Sequence, residues 1–198
     1  MEMSMLENWE KTSFSEERRY YTENESGSFY CDEAGRLTWF EPARENCLHQ
    51  GPHGLRRFNE KVDVRSLIIP EGIREITYDA EKLWDLVVVE KLVLPKSLEK
   101  LDANVLSGCL IMETELPTSL REIGPGALMC NYIHVLRIPQ GMPYPKYAGW
   151  GQKEAEGGLT IHGRQFKETI INTLIVPAGY PYKELMLETK INNIVYSD

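Results

Sequence analysis

The sequence predicts a β-rich repeat solenoid, in which short strands stack coil upon coil along one axis. Three observations support this prediction: apolar residues alternate in short runs, each run is closed by a proline, and further apolar residues follow the proline at fixed distances. The closing prolines are Pro70, Pro95, Pro117, Pro139 and Pro177, which lie 25, 22, 22 and 38 residues apart.

Each unit contains two predicted strands. The proline ends the first strand at a corner, because proline cannot donate to the hydrogen-bond ladder of a central strand. Three residues after the proline, the apolar positions are Ile73, Leu98, Leu120, Met142 and Tyr180. Six residues after it stand Ile76, Leu101 and Ile123, which mark a second short strand.

The second strand is followed by a segment that we expect to form a short helical or 3₁₀ turn, as in Leu101–Leu106 and Ile123–Leu128. One coil is then complete in about 22 residues. A unit this small cannot bury its apolar face alone, so neighbouring coils supply the core. We therefore expect Leu94, Leu116 and Ile138 to form one buried column.

The segment Leu120–Cys130, with its Ile-Gly turn, its Ala-Leu pair and its closing cysteine, resembles the BspA-like leucine-rich repeat. The resemblance covers residues 64–139 and, with departures, residues 140–183. It implies a right-handed leucine-rich-repeat superhelix in a bacterial protein, with an exposed sheet surface that mediates protein contacts or adhesion. The first repeat departs from the family, since Tyr78–Trp84 stands where the glycine and cysteine turn is expected.

The alternating residues on either side of Asp32–Gly35 predict a β-hairpin, and such a hairpin would cap the open end of the first coil. The predicted organisation is a polar segment over 1–27, a hairpin and cap over 28–63, leucine-rich repeats over 64–139, an irregular insertion with an aromatic loop over 140–173, and a degenerate terminal repeat and cap over 174–198.

Aromatic residues gather in and after the insertion, where the 22-residue rhythm breaks. The candidate partner-binding residues are Tyr144, Tyr147, Trp150, Tyr180 and Tyr182. Aromatic side chains are enriched among the residues that dominate binding energy, which favours a binding patch at the C-terminal end of the array. The alternative is that they cap the last coil against water, in which case Trp150→Ala would lower the melting temperature rather than weaken binding.

Charge and hydropathy exclude two classes of partner. Thirty acidic and 22 basic residues give a net charge of −8, which repels the phosphates of nucleic acids. The apolar runs are far shorter than the roughly 20 residues that a membrane-spanning helix needs. The first residues contain neither a basic nor an apolar leader segment, so we expect a cytoplasmic protein, although many members of the resembled family are secreted or lie at the cell surface.

The sequence predicts no catalytic residue, no cofactor site and no metal site. Motifs for phosphate-binding loops, nucleophile elbows and zinc sites do not occur. His49 and His53 have the spacing of a helical metal-binding pair, but Gly51-Pro52 between them prevents that helix. We expect the four cysteines to be reduced, with Cys109 and Cys130 filling buried corners.

The function predicted from these observations is a non-enzymatic scaffold for protein–protein interaction, with a partner that the sequence does not name. A carbohydrate-binding or adhesive module is the alternative, because the loop aromatics could stack on sugar rings. An unrecognised hydrolase is the third hypothesis, although no pair of carboxylates stands out by its spacing.

Overall fold

The computed structural model describes residues 10–11, 20–48, 62–81, 83, 86–148 and 157–198. These residues form two β-sheets whose strands are mostly parallel, with almost no helix. The strands are β1 (Glu10–Lys11), β2 (Tyr20–Asn24), β3 (Gly27–Cys31), β4 (Arg36–Pro42), β5 (Val62–Ile68), β6 (Glu75–Glu81), β7 (Leu86–Val93), β8 (Lys100–Leu101), β9 (Leu110–Glu115), β10 (Glu122–Ile123), β11 (Tyr132–Arg137), β12 (Pro145–Tyr147), β13 (Leu159–Ile161), β14 (Ile170–Pro177) and β15 (Lys190–Ser197).

The two sheets differ in size and in whether their strands pair parallel or antiparallel. One sheet has nine strands in the order β1-β2-β3-β4-β6-β8-β10-β13-β12, and the other has six in the order β15-β14-β11-β9-β7-β5. From β5 to β11 the chain enters the two sheets in turn, so that each passage adds one strand to each sheet. All pairs of named strands in the six-stranded sheet are parallel, whereas β1 to β4 pair antiparallel.

The hairpin predicted around Asp32–Gly35 is present, since β3 pairs antiparallel with β4 on either side of it. Gly35 has a φ of 76° and its amide donates to the Asp32 carbonyl at 3.1 Å. A left-handed φ is a conformation that glycine adopts without steric cost, which explains the residue at this position. The short strands predicted at Ile76, Leu101 and Ile123 are also present.

The core lies between the two sheets and is built from one or two inward side chains on each successive strand. The nine-stranded sheet contributes Leu37, Ile76, Leu101, Ile123 and Ile161. The six-stranded sheet contributes Val64, Val89, Ile111, Ile133 and Ile171, together with Leu67, Leu92, Leu136 and Leu174. The column predicted from the prolines is buried as expected, because Leu94, Leu116 and Ile138 are all inaccessible to solvent or nearly so.

The predicted fold class is wrong. We expected a leucine-rich-repeat solenoid, a right-handed superhelix with short helical or 3₁₀ turns, and a leucine-rich repeat supplies one strand followed by a helix or 3₁₀ segment. The structure instead has two mostly parallel sheets. In the residues that it describes, helical structure amounts to little more than a 3₁₀ turn at Arg44–Asn46 and the helix α1 (Tyr182–Leu185).

The two segments that we expected to be helical are turns, for a reason visible in their backbone. Asn104 and Leu106 have φ values of 56° and 52°, and Gly126 has one of 70°, so neither segment can keep right-handed helical angles. Some of their amides also bond to the next turn in space, although the Ala127 amide donates to the Gly124 carbonyl within its own segment at 3.3 Å. The Asn104 amide donates to the Pro125 carbonyl at 3.1 Å, and the Leu128 amide to the Gln165 carbonyl at 2.8 Å.

Candidate interaction surfaces

An apolar row crosses the outer face of the six-stranded sheet. Leu110 on β9 pairs in register with Tyr132 on β11, and Tyr132 pairs with Ile170 on β14. The side chains of these three residues, here called the apolar row, are 37%, 39% and 37% exposed. The half-buried Val88 on β7 continues the row beyond Leu110, and the exposed Lys190 on β15 ends it beyond Ile170.

The apolar row was missed from the sequence, although the sequence carries its signal. Val88, Leu110, Tyr132 and Ile170 each stand seven residues before a closing proline. The next residue on each strand, such as Ile111 or Ile133, is also apolar and lies in the core. Successive side chains of a strand point to opposite faces, so two apolar neighbours cannot both face inward and one must face out.

Polar side chains flank the apolar row on the same sheet face. His134 lies two residues beyond Tyr132, with its Nδ1 3.4 Å from the Asn172 amide nitrogen, whereas Met112, two residues beyond Leu110, is an exposed apolar side chain. Further along the strands, Arg137 donates to Glu113 across a distance of 3.2 Å. This arrangement of an apolar centre with a polar rim is typical of protein-binding surfaces.

The predicted aromatic patch is only partly assembled. Tyr144 and Tyr147 are 62% and 68% exposed at the last strand of the nine-stranded sheet. Tyr180 is buried: its ring meets Tyr144 edge-on with centroids 5.6 Å apart, and its hydroxyl donates to the Pro143 carbonyl at 2.8 Å. Burial, together with Tyr144 beside it, raises the pKa of Tyr180. A buried, hydrogen-bonded tyrosine offers no contact area, so Tyr180 is not a binding residue of an exposed patch.

The other two predicted residues have different outcomes. Tyr182 begins α1 and is half-buried against the core. Desolvation and a hydrogen bond with Tyr196 raise the pKa of Tyr182, which places Tyr196 of β15 beside it. Tyr196 is 60% exposed and was not predicted. Trp150 lies outside the described residues.

The outer face of the nine-stranded sheet carries charges where the other sheet carries the apolar row. Arg36, Glu75, Lys100 and Glu122 stand in register on β4, β6, β8 and β10, with alternating sign, and are called the charge ladder here. The Lys100 ammonium lies 3.1 Å from Glu75 and 4.0 Å from Glu122. His162 follows β13, and its Nε2 lies 3.1 Å from the Glu122 carboxylate.

The positive and negative side chains of the charge ladder pair with one another. Partial burial lowers the pKa of Lys100, but the hydrogen bond to Glu75 and the charges of Glu122, Glu75 and Asp102 outweigh burial and raise the pKa above its ordinary value of 10.5. Each carboxylate beside Lys100 is therefore an ion-pair partner.

The cysteines fall into two environments. Cys31 and Cys109 are buried, and burial raises the pKa of each thiol to about 12, with Asp32 adding to the effect at Cys31. Cys130 is exposed, so the expectation that it fills a buried corner is wrong. Its backbone has a φ of 57° just before β11, and slight desolvation and the nearby Glu168 raise the pKa of its thiol. All four cysteines lie among the described residues, and each is a thiol rather than half of a disulfide.

Two further findings concern the described part of the chain only. It contains no group of three or more histidine, cysteine, aspartate or glutamate side chains arranged to hold a metal ion. None of its helices has the length and apolar character needed to cross a bilayer.

No protein-family model, curated protein or solved structure matches this chain. The resemblance to BspA-like repeats therefore stays a prediction. Any functional proposal rests on the geometry of the surfaces described above.

Proposed function

We propose that this protein is a non-enzymatic protein-binding module, and that the apolar row on the outer face of the six-stranded sheet receives the partner. One observation carries the proposal: Leu110, Tyr132 and Ile170 stand in register on three neighbouring strands, with no described element covering them. Parallel sheets are ordinarily covered on both faces, by helices or by another sheet. An uncovered parallel face with an apolar centre is a surface that a partner can cover.

The free energy available from covering the apolar row is that of a binding surface and not of a folding core. Full burial of a large apolar side chain contributes about 1.5–3 kcal/mol, and these three side chains retain somewhat over a third of their exposure. Covering the row therefore contributes roughly 2–3 kcal/mol. That amount matches the centre of a protein interface, with the polar side chains around it supplying orientation.

The test compares partner capture by the wild type and by a triple variant, Leu110→Ser/Tyr132→Ser/Ile170→Ser. Proteins captured from lysate by the wild type are identified, and the affinity of each purified protein is measured by calorimetry. We expect the triple variant to bind about 30-fold more weakly or worse, which corresponds to about 2 kcal/mol. Tyr147→Ser is the matched control, since it removes an exposed aromatic side chain from the other sheet.

The opposite result would be a captured protein that binds the triple variant and the wild type equally well. The row would then have no part in recognition. Far-UV circular dichroism and thermal unfolding of each variant show whether the fold is intact before binding is compared.

Carbohydrate binding is a second candidate, favoured by the exposure of Tyr147 on β12 and of Tyr144 directly before that strand. Exposed aromatic rings stack on the apolar faces of sugars. A glycan array probed with the wild type and with Tyr144→Ser/Tyr147→Ser separates the two candidates. Glycan signal that disappears in this double variant supports the second candidate, and signal equal to background for both proteins rejects it.

A further inference from the structure

The two edge strands of the six-stranded sheet differ in whether side chains bond their free backbone groups. At the β5 edge, side chains occupy the backbone groups: Asn46 bonds both the carbonyl and the amide of Ser66, at 2.6 and 2.8 Å. Ser26 accepts from the Ile68 amide at 2.8 Å, and Asn24 donates to the Ile68 carbonyl at 2.7 Å. These contacts leave little for another strand to bind.

The β15 edge has no such protection. Lys190–Ser197 pairs with β14 along its whole length on one side, and no described residue pairs with it on the other. The strand contains neither proline nor glycine, and its one charged residue is Lys190 at its first position. Natural proteins protect exposed edges with charges, prolines or short strands, so a long unprotected edge is typical of a strand that pairs with another chain.

The core is also incomplete at β15. Ile191 and Ile194 pair with Ile171 and Leu174 of β14, which are fully buried. Ile191 and Ile194 continue the same inward rows but are only partly buried, and no described strand lies beyond them in the sheet. A further strand with an apolar side chain opposite Ile194 would extend this layer.

We propose that two copies of this chain pair through β15, antiparallel and about a twofold axis at Ile194, to join their six-stranded sheets into one. In this register Ile194 faces Ile194 of the second copy, and Asn192 faces Tyr196. Lys190 at one end faces Asp198 of the second copy, so opposite charges meet twice across the axis and like charges do not. The strand is thus complementary to itself.

The same contact covers exposed apolar side chains. Val195 and Tyr196 on β15 are exposed and lie within the proposed contact. Cross-strand pairing of two such strands adds backbone hydrogen bonds and side-chain pairs, each pair contributing up to about 1 kcal/mol. The net charge of −8 on each copy opposes association only at low ionic strength, because the Debye length is roughly 8 Å at physiological salt. This dimer uses the edge of the sheet, so it does not depend on the proposed binding role of the apolar row.

The test is a charge swap, followed by sedimentation equilibrium of the full chain at physiological salt. We expect the wild type to be dimeric. Lys190→Asp sets two acidic side chains against each other, and Asp198→Lys sets two basic ones, so each should raise the dimer dissociation constant about tenfold or more. The double variant Lys190→Asp/Asp198→Lys restores opposite charges and should restore the wild-type constant to within about threefold.

Lys96→Asp is the matched control, because it makes the same charge change at an exposed turn far along the sequence from β15. It should leave the dimer unchanged. A wild type that stays monomeric at its highest soluble concentration would overturn the proposal. So would a dimer that tolerates Lys190→Asp, or a double variant that remains as weak as the single ones. Circular dichroism of each variant confirms that Lys190 and Asp198, both exposed, were changed without loss of the fold.

Discussion

The outer faces of the two sheets have the same construction and opposite chemistry. On each sheet, one outward side chain per strand stands in register with the next. The nine-stranded sheet fills its row with the charge ladder, in which Lys100 lies between Glu75 and Glu122. The six-stranded sheet fills the corresponding kind of row with Leu110, Tyr132 and Ile170.

The difference shows which face is complete within one chain. Ion pairs at a surface contribute only about 0–1 kcal/mol each, but they leave the ladder with no unmet partner and a solvated exterior. Apolar side chains gain nothing from water, and only another surface can cover them. Among the described residues, the apolar row and the β15 edge are therefore the two proposed places at which this chain gains free energy by association.

The largest effect should come from the interior that both faces share. Leu116 follows β9 and is fully buried between the sheets. Leu116→Ala should lower the free energy of unfolding by about 2–5 kcal/mol, because it removes buried methyl groups and leaves a cavity. Urea denaturation monitored by circular dichroism measures this loss. A loss under about 1 kcal/mol would show that the space between the sheets is not a packed core.

A smaller loss of stability is expected when a lysine is replaced on the nine-stranded sheet than when the core is changed, and no loss is expected on the six-stranded sheet. Lys100→Met keeps most of the side-chain volume but leaves Glu75 and Glu122 without their shared cation. The free energy of unfolding should fall by about 1 kcal/mol at low salt, and by less at high salt, since the Lys100 side chain is a third exposed and salt screens its charge. Lys91→Met on the six-stranded sheet is the control, and its effect should be near zero.

The pKa of Lys100 fixes the direction of the pH dependence. Because the pKa is raised in the folded protein, the ion pairs stabilise the fold fully below the ordinary lysine value of 10.5. This contribution is lost as the pH rises through the folded pKa. The difference in stability between the wild type and Lys100→Met should therefore be constant from about pH 7 to pH 9 and shrink in more alkaline solution. A difference that grows with pH would contradict the assignment of Lys100 as the stabilising cation.

The sequence predicts where strands end better than it predicts how they assemble. The closing prolines identify the strand ends and the buried column of Leu94, Leu116 and Ile138. Proline ends a strand because it lacks an amide donor, and the apolar residue beside it is buried by its own side chain, so both signals can be read locally. The prediction of a helical turn was wrong at Asn104 and Leu106, which have left-handed backbone angles. Whether an amide bonds within its own turn or to the next turn depends on contacts between distant residues, and composition does not reveal that choice.

Tyr180 is buried and so lies outside any exposed aromatic patch, as the capping alternative would have it. Its distance from Pro177 equals that of Ile73 from Pro70 and of Leu98 from Pro95, so its position already indicated burial. Aromatic character outweighed position in the prediction, and position was the better guide. Comparing the residues seven positions before each proline would likewise have shown that Leu110, Tyr132 and Ile170 occupy equivalent outward positions on their strands.

The smallest effect on stability should come from the apolar row itself. Leu110→Thr on β9 exchanges an outward leucine for a β-branched residue that strands accept, and it opens no cavity. The free energy of unfolding should therefore change by less than about 0.5 kcal/mol. Ile111→Thr, one position along the same strand, is the matched variant: it places a hydroxyl in the core and should cost about 2 kcal/mol or more. Urea unfolding of both variants measures the contrast between the two sides of one strand. If Leu110→Thr cost as much as Ile111→Thr, the row would be covered by the protein's own chain, and its exposure could no longer support partner binding.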